Sequence, residues 1–277
     1  MRKLRTVLAG ALAATVAGLA LAGCAPAPAA PTSAPTSPET SAPSTEPVSG
    51  KITLHIVRHG KTIFNDKSLV SGWSDSPLLV KGQEQATATG KALKDVAFSD
   101  AFSSDLGRAR DTANLVLAEQ ANPPALVQLK NLREQNYGGF EGDPDEAMWV
   151  PIMESMGVTY DPAKSTDGFW SNEAVLEWYG SHSEAEIVDA LAKVDPMGLA
   201  ENWAQYQDRL QAGIDEVIAQ STGENVLVVG HGGAIGSMLE LMDPEGYNGE
   251  SIANGSVSTV EYENGTFKII EISREVA

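Results

Sequence analysis

From residue 51 onward the chain alternates between two hydrophobic periods. Short apolar runs bounded by polar or glycine residues mark strands in "KITLHIV" (51–57), "AFSDAFSS" (97–104), "ALVQLK" (125–130) and "ENVLVVG" (224–230), the last with four apolar residues in a row. Between them the apolar positions recur at helical spacing. "KGQEQATATGKALKD" (81–95), "DLGRARDTANLVLAEQ" (105–120), "LAENWAQYQDRLQAGIDEVIAQ" (199–220) and "GGAIGSMLELM" (232–242) are predicted helices. Ser104 or Asp105 is the expected N-cap of the second. "SVSTVEYENGTFKIIEIS" (256–273) predicts a hairpin turning at Asn264-Gly265.

Strands alternating with helices predict an α/β domain, a three-layer α/β/α sandwich with a mostly parallel central sheet. A long acidic and aromatic segment, 142–196, breaks the alternation and is expected to form a helical cap insertion. Residues 51–277 suit one such domain.

The first 50 residues belong to another regime. Arg2, Lys3 and Arg5 precede an apolar stretch from Val7 to Ala22, followed by small residues and Cys24, the only cysteine. This is the layout of a secretory signal, and "LAGC" resembles a bacterial lipobox. Residues 1–23 are therefore expected to be a lipoprotein signal peptide, with Cys24 the lipidation site. A lipobox cysteine carries more than one acyl chain, which suffices for stable anchoring. Residues 24–50 are rich in Pro, Ser, Thr and Ala and predict an extended tether. The expected location is the extracytoplasmic face of the cell membrane.

The domain proper has no cysteine, so its core alone must hold it. Net charge is −18, and three units lower without Arg2, Lys3 and Arg5. That excess argues against nucleic acid as a partner. It also makes any gathering of basic groups notable.

Three glycine-marked motifs follow strand ends: Arg58-His59-Gly60, "SSDLGRAR", and Gly230-His231-Gly232-Gly233. In open α/β sheets ligands bind beyond the carboxyl ends of the strands. Parallel strands would bring two histidines and at least two arginines to one edge, a pocket suited to phosphate. Arg108 falls in the first turn of its helix, where a cation opposes the macrodipole. Either an anion sits between it and the helix amides, the helix starts later, or Arg108 snorkels outward. His55 lies within the strand body, roughly 13 Å behind His59, and reads as structural; His182, inside the insertion, reads as a surface residue. No HxxxH or HExxH spacing occurs, and no metal or other cofactor is expected.

"IVRHGKTIFN", "GWSDSPLLVKGQEQA", "SSDLGRARDTA", "LREQNYGGFEG" and "VLVVGHGGAI" resemble, in order, the signature blocks of the histidine phosphatase superfamily in its phosphoglycerate mutase-like branch. The resemblance implies that His59 is the nucleophile and becomes phosphohistidine. Arg58, Arg108 and His231 would grip the phosphoryl oxygens, with Asn65 and Gly232 beside them. Ser71 and Gly72 would border the leaving group. Glu134 would protonate the leaving oxygen and then activate water.

Mutases of this branch carry basic residues after that glutamate to hold an acidic substrate. Here Gln135 follows, and Lys164 is the only Lys or Arg from Glu134 to Ala192, in a stretch rich in acids. The sequence thus favours a metal-independent phosphomonoesterase acting on a small phosphate ester over a mutase. A non-catalytic anion-binding lipoprotein is the reading from a different class. The insertion's Trp149, Tyr160, Phe169, Trp170, Trp178 and Tyr179 fit a small core of its own, or an aromatic wall for the leaving group. Oligomeric state and the physiological substrate are not legible.

Overall fold

The computed structural model describes residues 50–276. The expected signal peptide, Cys24 and nearly all of the expected tether lie outside the described residues. Among the described residues no helix is long and apolar enough to cross a membrane.

The predicted alternation is realised as β1 (Ile52–Arg58), α1 (Ile63–Lys67), α2 (Val80–Ala92), β2 (Asp100–Ser104), α3 (Gly107–Leu117), β3 (Leu126–Leu129), α4 (Asp145–Ser155), α5 (Glu173–Ser181), α6 (Glu184–Val194), α7 (Trp203–Gln220), β4 (Asn225–Gly230), α8 (Gly232–Met242), β5 (Val257–Glu263) and β6 (Thr266–Arg274). Six strands form one sheet in the order β3-β2-β4-β1-β5-β6. β3, β2, β4 and β1 run parallel; β5 and β6 are antiparallel. The β5–β6 hairpin turns at Asn264 (φ 52°) and Gly265 (φ 83°), the two positive dihedrals a tight primed turn requires.

Both faces of the sheet are covered. Ile52, Leu54, Ile56, Val226 and Val228 pack against Tyr206, Leu210, Ile214 and Val217 of α7 and Ile235, Met238 and Leu239 of α8. Val57, Ala101, Leu227 and Val229 pack against Ala109, Ala113, Val116 and Leu117 of α3 and against Leu93 just after α2. β4 is buried on both sides, which is why its sequence is a continuous apolar run instead of an alternating one.

The insertion holds α4, α5 and α6 and has its own core, built on Met148, Ile152, Met153, Phe169, Val175, Trp178, Ile187 and Leu191. Val70 and Phe140 belong to the same core. The cap therefore draws on residues before position 142, and its packing unit begins earlier than the sequence suggests.

Two expectations change. The N-cap of α3 is Leu106, with no side-chain cap bond. Ser104 Oγ instead accepts from the Leu106 amide, and Asp105 is turned to an ion pair with Arg133. His182 is half-buried, its Nδ1 2.8 Å from the Trp178 carbonyl, and is not a plain surface residue. His55 is a structural strand residue: Nε2 lies 3.3 Å from Asn225 Oδ1, and the ring meets Phe98 edge-on.

Candidate active site

The register of the sheet places the site. Arg58 pairs with Gly230 at the carboxyl ends of β1 and β4, and the His59 amide donates to the Gly230 carbonyl at 3.0 Å. His59 and His231 are each the next residue past that pair. Their rings consequently meet, centroids 5.3 Å apart in an edge-on arrangement. β2 lies beside β4, so the α3 N-terminus and Arg108 rise next to them.

His59 is 3% exposed and fixed in one orientation. Its Nδ1 lies 2.8 Å from the Gly60 carbonyl, which can only accept, so Nδ1 carries the proton and Nε2 keeps a lone pair. Burial, then the Arg108 and Arg58 guanidiniums, hold this imidazole well below the usual histidine range. The His59 carbonyl accepts from Asn254 Nδ2. Gly60 is packed so closely on Gly82 that an added Cβ would lie 2.2 Å from the Gly82 carbonyl oxygen. The turn carrying the nucleophile candidate is thereby pinned to α2.

His231 is fully buried, and neither ring nitrogen has a partner among the described residues. Burial is the main cause that depresses its proton affinity, followed by Arg108, His59 and Arg58. A neutral imidazole with two unpaired nitrogens is expensive to bury without a ligand. Arg58 donates from Nη1 to the Ile252 carbonyl, and its Nε is also unpaired. Gly232 is needed here: a Cβ would lie 3.0 Å from the Arg58 guanidinium carbon.

Arg108 is held differently from expectation. The anion at its helix N-terminus is Asp75: its carboxylate accepts from the Gly107 amide and from Arg108 Nη1 at 3.0 Å. Nη1 also donates to the Ser74 carbonyl, and Nη2 to the carbonyls of Ser71 and Gly72. Only Nε is left unpaired. Gly72 thus positions Arg108 and is absent from the cavity lining, whereas Ser71 lines the cavity with its Oγ unpaired.

The loop holding Arg108 is itself organised by Glu141, which sequence reasoning noticed only as a charge. Its carboxylate accepts from the amides of Gly72, Trp73, Ser74 and Tyr137 and from Ser74 Oγ. Glu141→Gln turns an amide NH₂ toward donors. The expected result is a loss of ~2 kcal/mol in urea unfolding and, through the displaced Arg108, a kcat lowered ~10-fold.

Glu134 comes from the loop after β3 and caps α8. Oε2 accepts from the Gly233 amide (3.0 Å), and Oε1 from Ala234 (2.8 Å) and Gln135 (3.0 Å). Its carbonyl accepts from Trp73 Nε1 and Arg209 Nη2. Arg209 is paired in turn with Glu201. Asn65 closes the N-terminal cap of α1 with Oδ1, accepting from the Thr62 amide, and lines the cavity.

A cavity of about 920 Å³ opens above these groups. Arg58, Asn65, Ser71, Glu134 and Gly232 line it; His59, Arg108 and His231 are buried and do not line it. The outer wall comes from the cap and the segment after α8, with Trp149, Trp170, Tyr179, His182, Glu184 and Tyr247. The aromatics therefore divide: Phe169 and Trp178 are core, Tyr160 packs against it, and Trp149, Trp170 and Tyr179 face the cavity. Asp75, Glu141, Arg209 and Asn254 were missed as site residues, although Asp75 and Glu141 sit inside motif blocks already singled out.

His59 and His231, both held well below the usual histidine range, make stability pH-dependent. Below pH 6.5 the unfolded chain protonates both, while the folded protein does not until its lower values are reached. At these two sites the unfolded state then binds more protons, so their contribution to stability falls as pH drops through this window, opposed by the raised Glu184 carboxyl, which the folded state protonates first. Each histidine contributes a slope of about 1.4 kcal/mol per pH unit. Urea midpoints between pH 7.5 and 5 should fall less steeply in His231→Gln than in wild type.

Comparison with known proteins follows the same lines. The description "Histidine phosphatase superfamily (branch 1)" matches residues 54–157 and 170–274. The chain is 30% identical over 216 residues to a 2,3-bisphosphoglycerate-dependent phosphoglycerate mutase of Bartonella tribocorum, covering 75% of this chain and 88% of that one. It is 28% identical to a metal-independent phosphoserine phosphatase of Arabidopsis thaliana, covering 74% of each. The crystal structure of a phosphoglycerate mutase from Bacillus anthracis superposes with a TM-score of 0.72 at 37% identity, covering 82% of this chain and 95% of that one. With its sheet, its site geometry and its sequence pointing the same way, the chain belongs to the histidine phosphatase superfamily, in the branch that holds phosphoglycerate mutase-like proteins.

Proposed function

We propose that this protein is a phosphomonoesterase that releases phosphate from a small ester through a phosphohistidine at His59. The observation that carries the choice of phosphatase over mutase is the cavity lining. Among the described residues its only Lys or Arg residues are Arg58 and Lys61, against the carboxylates of Glu134, Asp145, Glu184, Glu240 and Glu250. A phosphoglycerate carries a carboxylate beyond its phosphate, and such a wall repels it.

The chemistry uses the groups in place. His59 Nε2 attacks phosphorus in line, and the N–P bond forms as the bond to the leaving oxygen breaks. In this mechanism the Nε atoms of Arg58 and Arg108, unpaired among the described residues, and the neutral His231 stabilise the charge spread over the equatorial oxygens. Glu134 passes a proton to the leaving oxygen and takes one from the water that then cleaves the phosphohistidine. Dividing the displacement in two lowers each barrier. No step calls for a metal. The proposed setting is the extracytoplasmic face of the membrane, with a lipid at Cys24.

The mutase reading is favoured by a specific observation of its own, the 37% identity to the Bacillus anthracis mutase. One experiment separates the readings. With an aryl phosphate in EDTA, the phosphatase forms an acid-labile phosphoenzyme and releases inorganic phosphate. Transfer of the phosphoryl group between hydroxyls of a phosphoglycerate, without release, supports the mutase. Phosphate binding with no turnover on a broad panel of monoesters supports the non-catalytic reading.

A further inference from the structure

Glu184 is the first residue of α6 and faces the cavity from the cap. It has no salt bridge among the described residues. Its one side-chain bond is from Ser237 Oγ at 2.8 Å. Burial, opposed by that bond and reinforced by Glu240 and Glu134, raises its carboxyl to about 7. Titratable neighbours that sense it include Tyr179, Tyr206 and Tyr247, and none supplies a cation. A carboxylate withdrawn from water without a counter-charge is costly, and a ligand cation would remove the cost.

The position is also informative. Ser237 lies one turn of α8 beyond Gly233, whose amide binds Glu134. Glu184 and Glu134 are therefore bonded to sites on α8 that lie one helical turn apart, roughly 5–6 Å, and the Glu134 charge is felt at Glu184. Beside it Trp149, Trp170 and Tyr179 form a contiguous cluster, with centroids 5.3 Å (Trp149–Trp170) and 5.4 Å (Trp170–Tyr179) apart, and all three line the same cavity. Trp170 and Tyr179 keep 39% and 48% of their surface exposed, which an aromatic pair in a cap core would not. Electron-rich ring faces attract ammonium groups.

We infer that Glu184 is a specificity-determining residue whose carboxylate, together with the Trp149, Trp170 and Tyr179 rings, receives an alkylammonium group joined to the phosphate by a short spacer. The inference rests on the phosphatase reading and names its substrate class. Strand ends built for a phosphate dianion and an outer wall built for a cation select a zwitterionic ester.

The test compares phosphocholine with the ester in which carbon replaces the quaternary nitrogen, which keeps the phosphate and lacks the cation. The two match in shape and differ in charge. For the wild type, kcat/KM should favour phosphocholine by about 10-fold or more, and Glu184→Gln should bring that ratio close to one. Equal rates on the two esters, with an aryl phosphate still turned over through a phosphoenzyme, overturn the inference and leave the phosphatase reading intact. Absence of turnover and of phosphoenzyme on every ester overturns both. The wild-type comparison decides the matter even where the variant fails to fold.

Discussion

His59→Ala is expected to lower turnover of any phosphomonoester by ~10⁴-fold or more and to remove the acid-labile phosphoenzyme altogether. The size of the effect follows from the site having no second nucleophile in the same position. His231 is the only other imidazole nearby, and its ring meets His59 edge-on. It has no carbonyl fixing one nitrogen as donor, as Gly60 does for His59. The measurement is rapid-quench detection of labelled protein, with burst amplitude as the readout. A labelled phosphoprotein surviving in the variant would remove His59 from the role. The fold should tolerate the change, since the side chain's one bond is to its neighbour's carbonyl.

Arg108 is expected to be the more damaging position for the whole molecule. Its guanidinium is 1% exposed and satisfies the carbonyls of Ser71, Gly72 and Ser74 while pairing with Asp75. Arg108→Ala leaves those acceptors without donors in a closed space, which costs about 3 kcal/mol of stability. It also removes the guanidinium that the proposed mechanism places on the phosphoryl group, for ~10²–10³-fold in kcat. Arg108→Lys separates the effects. A lysine restores the charge but has no planar fork to span Asp75 and three carbonyls. Urea denaturation should place it between wild type and alanine, with kcat still depressed.

The fold was largely legible in the chain because both period changes and turn residues agreed. The continuous apolar run of β4, flanked by the helical spacing of α7 and α8, pointed to a strand covered on both faces, and Asn264-Gly265 named the hairpin turn. The histidine pair was legible for a reason of register: each histidine immediately follows the last residue of a parallel strand. Less visible were the groups that act through long-range contacts. Asp75 reaches Arg108 across 33 positions, and Glu141 reaches Gly72 across 69. Neither separation leaves a local signature. Arg108 shows the limit well. Its place in the first helical turn called for an anion, and the structure supplies one from the protein itself. His182 and the exposed faces of Trp170 and Tyr179 could not be placed either, because the cap's packing depends on Val70 and Phe140 from outside it.

The Asp75 carboxylate has a consequence for release. A guanidinium that already shares its charge with a permanent internal partner offers an incoming dianion less net attraction than a bare one. The geometry of the pocket is then present before any anion arrives, while its grip is moderated. An occupant is oriented without being trapped, and free phosphate departs from such a cradle sooner than it would from two unshared arginines. In the proposed phosphatase, Asp75 therefore sets how long the anion stays, and Arg108 how it is turned.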